Sequence, residues 1–161
     1  RRRAAGRLPH RLAALRRGAL IYCDSNMIKA GLSVAKLRRF HPDYRRESIL
    51  CPVADEATRQ YAEAHRTTRA LAAVELHAEA LDGAIFLCGN APLALAGVVR
   101  LIVERGIAPA LIVGMPVGFV NVIESKKLLD RVRVPFVRID GRRGGSPLAV
   151  ATLHAIMETA L

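Results

Sequence analysis

With 161 residues the chain is long enough to bury a real core, and 52% hydrophobic residues with a mean hydropathy of +0.20 exclude a disordered polymer. Lys and Arg outnumber Asp and Glu by 25 to 14, and the resulting net charge of +11 points to an anionic partner: nucleic acid, an acidic membrane surface or a small polyanion. No run approaches the ~20 apolar residues of a membrane helix, and the opening RRRAAGRLP has no apolar stretch behind it, so neither a membrane span nor a signal peptide is expected.

Along the chain, residues 1–9 stay unassigned, with Arg1–Arg3 read as a solvated tail, and Arg11–Arg17 is a weak helix. Leu20-Ile21-Tyr22-Cys23 reads as the first strand. It stops at Asp24, which either faces a ligand cleft or caps the helix that holds Met27 and Ile28. Ile49-Leu50-Cys51 is the second strand, stopped by Pro52, and Asp55–His65 is the helix after it. Thr68–Ala80 is rich in strong helix formers. Thr67 is expected to cap it, with Arg69 as a residue that alternatively points at a ligand.

The third strand is Ala84–Cys88, followed by a helix over Pro92–Arg105 with proline at its first position and Gly106 at its end. The fourth is Ala110–Val113, and the next helix is expected over Asn121–Arg131. There N-x-x-E resembles a capping box, with Asn121 as cap and Glu124 reaching back. The fifth is Pro135–Ile139, stopped by Asp140. The last helix, Ser146–Leu161, opens Ser-Pro, a cap followed by proline in the first turn. Strand and helix alternate throughout, which predicts an α/β fold: a parallel sheet of about five strands with helices on both faces, in a single domain over 1–161. The third and fourth strands are almost wholly apolar, as central parallel strands should be.

Cys23, Cys51 and Cys88 are odd in number, form no C-x-x-C pair and lie in apolar runs, so they read as buried, reduced thiols of a cytoplasmic protein. His10, His41, His65, His77 and His154 show no metal spacing, and no metal site is expected. His77 and His154 lie within helices and read as surface or core residues.

Ligands of open parallel sheets bind beyond the carboxyl ends of the strands, and there the sequence is unusual. The third strand runs into GNAP (89–92), the fourth into GMPVGF (114–119), the fifth into GRRGGS (141–146). Each places glycine at a turn ahead of a helix start, where unpaired N–H groups and a partial positive charge favour anions. Arg142 and Arg143 add guanidinium forks suited to carboxylates or phosphates. Glycine after a strand is also ordinary turn chemistry. Neither a P-loop nor G-x-G-x-x-G is present, so nucleotide binding has weak support.

The stretches GNAPLAL (89–95), PALIVGMPVGFVNVIESK (109–126) and GRRGGSPLAVA (141–151), in this order, resemble the precorrin-8X methylmutase family of corrin biosynthesis. ALIYCDSNMIKAGL (19–32) and TTRALAA (67–73) are weaker matches. The resemblance implies a three-layer, flavodoxin-like fold and a homodimer. It also implies a cofactor-free sigmatropic shift of a methyl group from C-11 to C-12 of the macrocycle, turning precorrin-8X, or its cobalt-containing counterpart, into hydrogenobyrinate or its cobalt form. The substrate's acetates and propionates suit a basic surface of turns and leave nucleic acid and membrane unneeded as partners. The substrate-binding candidates on the matching stretches are Thr67 and Arg69; Gly89 and Asn90; Met115, Gly118, Phe119 and Lys126; and Arg142, Arg143, Gly144 and Ser146. The family's catalytic histidine, in a His-Ala-Thr-Gly type motif, would fall before Arg1, and His10 matches the helix after it. The expectation is therefore a chain that binds the corrinoid and converts it poorly. Leu93 stands where the family usually has Thr, and His154 where Asn is common.

Overall fold

Five strands, each only two to four residues long, carry the whole architecture of this computed structural model, which describes residues 8–159. In chain order the elements are α1 (Leu8–Arg16), β1 (Ile21–Cys23), α2 (Asn26–Gly31), α3 (Val34–Arg38), β2 (Ile49–Leu50), α4 (Glu56–Ala64), α5 (Arg69–Leu76), β3 (Ile85–Cys88), α6 (Pro92–Arg105), β4 (Leu111–Gly114), α7 (Val122–Leu128), β5 (Phe136–Arg138) and α8 (Ser146–Glu158). The strands pair in parallel in the order β2-β1-β3-β4-β5. That is the doubly wound order whose reversal of direction lies between β1 and β3.

Alternation of side chains along the strands builds two cores. Ile21, Cys23, Ile85, Leu87, Leu111 and Val113 face α1, α2 and α8, whose Leu12, Leu15, Ile28, Leu153 and Met157 are buried there. Tyr22, Phe86, Cys88 and Ile112 face the other side, where Val74 of α5 and Ala94, Leu95 and Val98 of α6 pack. Every residue of β3 and β4 is buried, as their apolar composition predicts for strands covered on both faces. All three cysteines are free and buried. No helix among the described residues is long and apolar enough to cross a membrane.

Local differences from the sequence reading have local causes. The first helix starts earlier, at Leu8, and ends at Arg16; the tail at 1–3 and the side chain of His10 lie outside the described residues. The helix after β1 is capped by Ser25, whose hydroxyl accepts from the Ile28 amide, so Asp24 is not its cap. A short helix at Val34–Arg38, capped by Ser33, went unforeseen because five residues show no period. Thr68, not Thr67, caps α5 through a bond from the Leu71 amide, and the helix ends at Leu76 before a 3-10 turn at Ala78–Leu81. Asn121 adopts φ +59, its side chain makes no capping bond, and no box forms with Glu124. Gly145 (φ +120) precedes α8, and Ser146 is already helical. His154 is half-buried; its Nε2 accepts the Ser33 amide at 3.3 Å and ties α8 to the start of α3. The loss of solvent holds its pKa below the usual value.

Candidate functional site

Three turns at the carboxyl ends of β3, β4 and β5 interlock through backbone contacts, and two of them are also held from beneath by a buried charge. The turn after β3 closes on Asp24, at the end of the neighbouring β1. Its Oδ1 accepts the Gly89 amide at 2.9 Å. Its Oδ2 accepts the amides of Asn90 (2.8 Å) and Ala91 (2.7 Å) and the Cys88 thiol at 3.2 Å. Asp24 is 4% exposed. Burial pushes its carboxyl above the ordinary carboxylate range, while the amides pull it back. The same burial pushes the Cys88 thiol well up, so it acts here as a neutral donor. Asp24 therefore neither caps α2 nor reaches solvent; it satisfies the amides of the turn that leads into α6.

The turn after β5 is held the opposite way. Lys126 on α7 is 2% exposed. Its Nζ donates to the carbonyls of Gly141 (2.8 Å) and Arg143 (2.6 Å), the two residues that bracket Arg142. Burial pulls its pKa below the usual lysine value. Arg138, from β5, donates to the Lys126 carbonyl at 2.6 Å and pairs with Asp130 and Asp140.

Close packing joins these turns to the one after β4. The Met115 amide donates to the Cys88 carbonyl, and the Met115 carbonyl accepts the Gly145 amide, each at 2.8 Å. A Cβ on Gly144 would stand 2.6 Å from the Pro116 carbonyl oxygen, and one on Gly89 2.6 Å from the Cα of Ser146, so only glycine fits either place. The Ser146 hydroxyl bonds Ser25 Oγ at 2.8 Å, linking the start of α8 back to β1.

Of the candidates, Phe119 and Arg142 meet directly, the guanidinium carbon 5.9 Å from the ring centre. Phe119 is 86% exposed and Val120 74%. Arg143 and Asn90 are exposed as well, while Met115, Lys126, Gly89 and Ser146 are buried and shape the turns from within. Gly118 takes φ +136 beside Phe119. Arg69 opens the neighbouring α5, and Thr67 lies in the loop just before its cap, Thr68. Leu71 lies against Gly97, and Glu75 and Glu79 pair with Arg100 and Arg105. This alignment runs α5 alongside α6 in the same direction, so its start shares the end of the sheet where the three turns lie. A separate cavity of about 270 Å3, lined by Arg17, His41, Tyr44 and Ser48, lies near the amino ends of β1 and β2. No group of three or more His, Cys, Asp and Glu side chains suited to a metal ion occurs among the described residues.

Asp24 and Arg138 are the residues whose positioning roles sequence reading missed. The available signal was a charged residue ending each of two parallel strands; its meaning depended on which strand lies next door.

Residues 3–159 match the family model described as precorrin-8X methylmutase. The chain is 38% identical to the cobalt-precorrin-8 methylmutase of Methanocaldococcus jannaschii, over 91% of this chain and 64% of that protein. It is 38% identical to the precorrin-8X methylmutase of Pseudomonas aeruginosa, over 95% and 69%. It thus spans somewhat under two thirds of the archaeal relative's length. The solved structure of precorrin-8X methylmutase from Thermus thermophilus superposes with a TM-score of 0.83 at 40% identity, covering 98% of this chain and 74% of that one.

Proposed function

We propose that this chain, which belongs to the precorrin-8X methylmutase family, is an isomerase of cobalamin (corrin) biosynthesis that moves a methyl group from C-11 to C-12 of its tetrapyrrole. The substrate is precorrin-8X or cobalt-precorrin-8, the two names its relatives carry. In a sigmatropic shift the bond to C-11 breaks as the bond to C-12 forms, with no net redox change. The protein's task is then to confine the ring and favour the transition state over the bound substrate.

The observation that carries this reading is the interlock of the turns at 89–91, 115–119 and 141–146, with Phe119 against Arg142 on their outer side. Arg142 and Arg143 offer forks to the carboxylates of the ring, and Phe119 and Val120 offer apolar surface to its flat face. The same exposed pair, with Val117 at 43%, supports association as a homodimer. Three free, buried thiols accord with a reducing cytoplasm, and residues 1–161 are taken as one methylmutase-like domain.

Incubating the 161-residue protein with precorrin-8X and following the visible absorption tests the proposal. Ordinary turnover establishes the isomerase and overturns the expectation of poor conversion. Binding of hydrogenobyrinate without turnover leaves a non-catalytic corrinoid-binding homologue. Tight, salt-sensitive DNA binding with no corrinoid binding overturns both in favour of a nucleic-acid module.

A further inference from the structure

The three turns present very different electrostatics to a ligand. The sequence pattern assigns a free set of helix-start amides to each glycine turn. After β3 the amides of the turn that leads into the helix are already taken: Gly89, Asn90 and Ala91 all donate to one buried carboxylate, Asp24, and Pro92 at the first helical position has no N–H. A ligand carboxylate approaching this turn meets no unpaired amide among the three, and meets instead the field of a carboxyl group directly behind them. Asn90 itself is exposed. After β5 the buried group is a cation, Lys126, and the exposed side chains are the cations Arg142 and Arg143.

We propose that Asp24 is a positioning residue that makes the surface two-sided: by occupying the amides of 89–91 it reserves that turn, through Asn90, for an uncharged part of the ligand, and leaves the ligand's carboxylates to the Arg142–Arg143 side. This rests on the reading of the ligand as a polycarboxylated tetrapyrrole. It deepens that reading by dividing the surface between ring and side chains. An asparagine at 24 is a poor substitute. Its NH2 group opposes donors that the carboxylate accepted, so at least one amide of the turn is left without an acceptor.

The test titrates the 161-residue protein with hydrogenobyrinate, read by visible absorption, at several salt concentrations. Asp24→Asn is expected to weaken binding at least about tenfold with the salt dependence unchanged, and Asn90→Ala to weaken it as well. The double variant should bind within about twofold of the weaker single one, because both act through one turn. A general loss of structure would instead make the two effects add, and additive losses overturn the proposal. Should Asp24→Asn not fold, Asn90→Lys serves: it is expected to bind no tighter than the wild type. Tighter binding by Asn90→Lys, with a steeper salt dependence, places a carboxylate at that turn and overturns the proposal. Absence of binding by the wild-type protein overturns the tetrapyrrole reading and this inference with it. Binding by the wild type with additive losses overturns this inference alone.

Discussion

The turn after β3 hangs on a buried carboxylate, Asp24, and the turn after β5 on a buried ammonium, Lys126. Both are glycine turns leading into a helix, and in sequence they look alike. Physically they are complements: amide donors converge on an anion in the first, and carbonyl acceptors converge on a cation in the second. An acceptor at 24 pulls the backbone N–H groups inward. A donor at 126 pulls the carbonyls of 141 and 143 inward, with Arg142 between them. A glycine-rich turn ahead of a helix is thus an anion site only when its amides are left unfilled.

The strongest way to break this arrangement is to push the two turns apart. Gly144→Ala forces a methyl group onto the backbone of Met115 and Pro116, and overpacking of this kind is expected to destabilise the protein by about 3 kcal/mol, measured by denaturant unfolding. Next in size, Lys126→Met leaves the carbonyls of Gly141 and Arg143 without their donor. A loss of about 2 kcal/mol is expected, together with weaker corrinoid binding, because the turn that carries Arg142 relaxes. A melt unchanged from the wild type would show that the ammonium is dispensable.

Arg142→Ala and Arg143→Ala separate binding from folding. Both residues are exposed, so stability should stay put while affinity for hydrogenobyrinate falls roughly tenfold for each and its salt dependence flattens. An equal loss at all salt concentrations would speak against direct contact with carboxylates.

The smallest effect is the most diagnostic of the opposed charges. The folded pKa of Asp24 lies above its ordinary 3.8, so its contribution to stability is full below that value and is lost as pH rises through the folded pKa. The folded pKa of Lys126 lies below its ordinary 10.5, so its contribution is full above that value and is lost as pH falls through the folded pKa. Stability curves of Asp24→Asn and Lys126→Met, each subtracted from the wild type, should therefore slope in opposite directions at opposite ends of the pH range. Slopes of the same sign would mean that, for one of the two groups, its hydrogen bonds favour the charged form more than burial opposes it.

Much of this was legible from residues alone. The five apolar runs are the five strands within a residue or two at each end: β3 and β4, covered on both faces, are apolar throughout, while β5 at the sheet edge is half-buried and carries Arg138. The three glycine turns lie at the carboxyl ends, because that is where crossover helices begin. Less legible were the caps. Thr68 rather than Thr67 caps α5, and Asn121 turns left-handed instead of capping α7. Adjacent polar residues compete for the same amides, and the path of the chain decides between them. Ser146, which reads as a cap, is already inside α8 and bonds Ser25, the cap of α2 on the same face of the sheet.

The fold class, the strands, the buried thiols and the turns on which a site would form all follow from local periodicity and composition. The nature of those turns comes from packing between distant elements. Asp24 fills the amides at 89–91 because β1 lies beside β3, and Lys126 reaches the carbonyls at 141 and 143 because α7 runs beneath the turn after β5. Charges 65 or 15 residues away along the chain carry no mark of their partner until strand order brings them together.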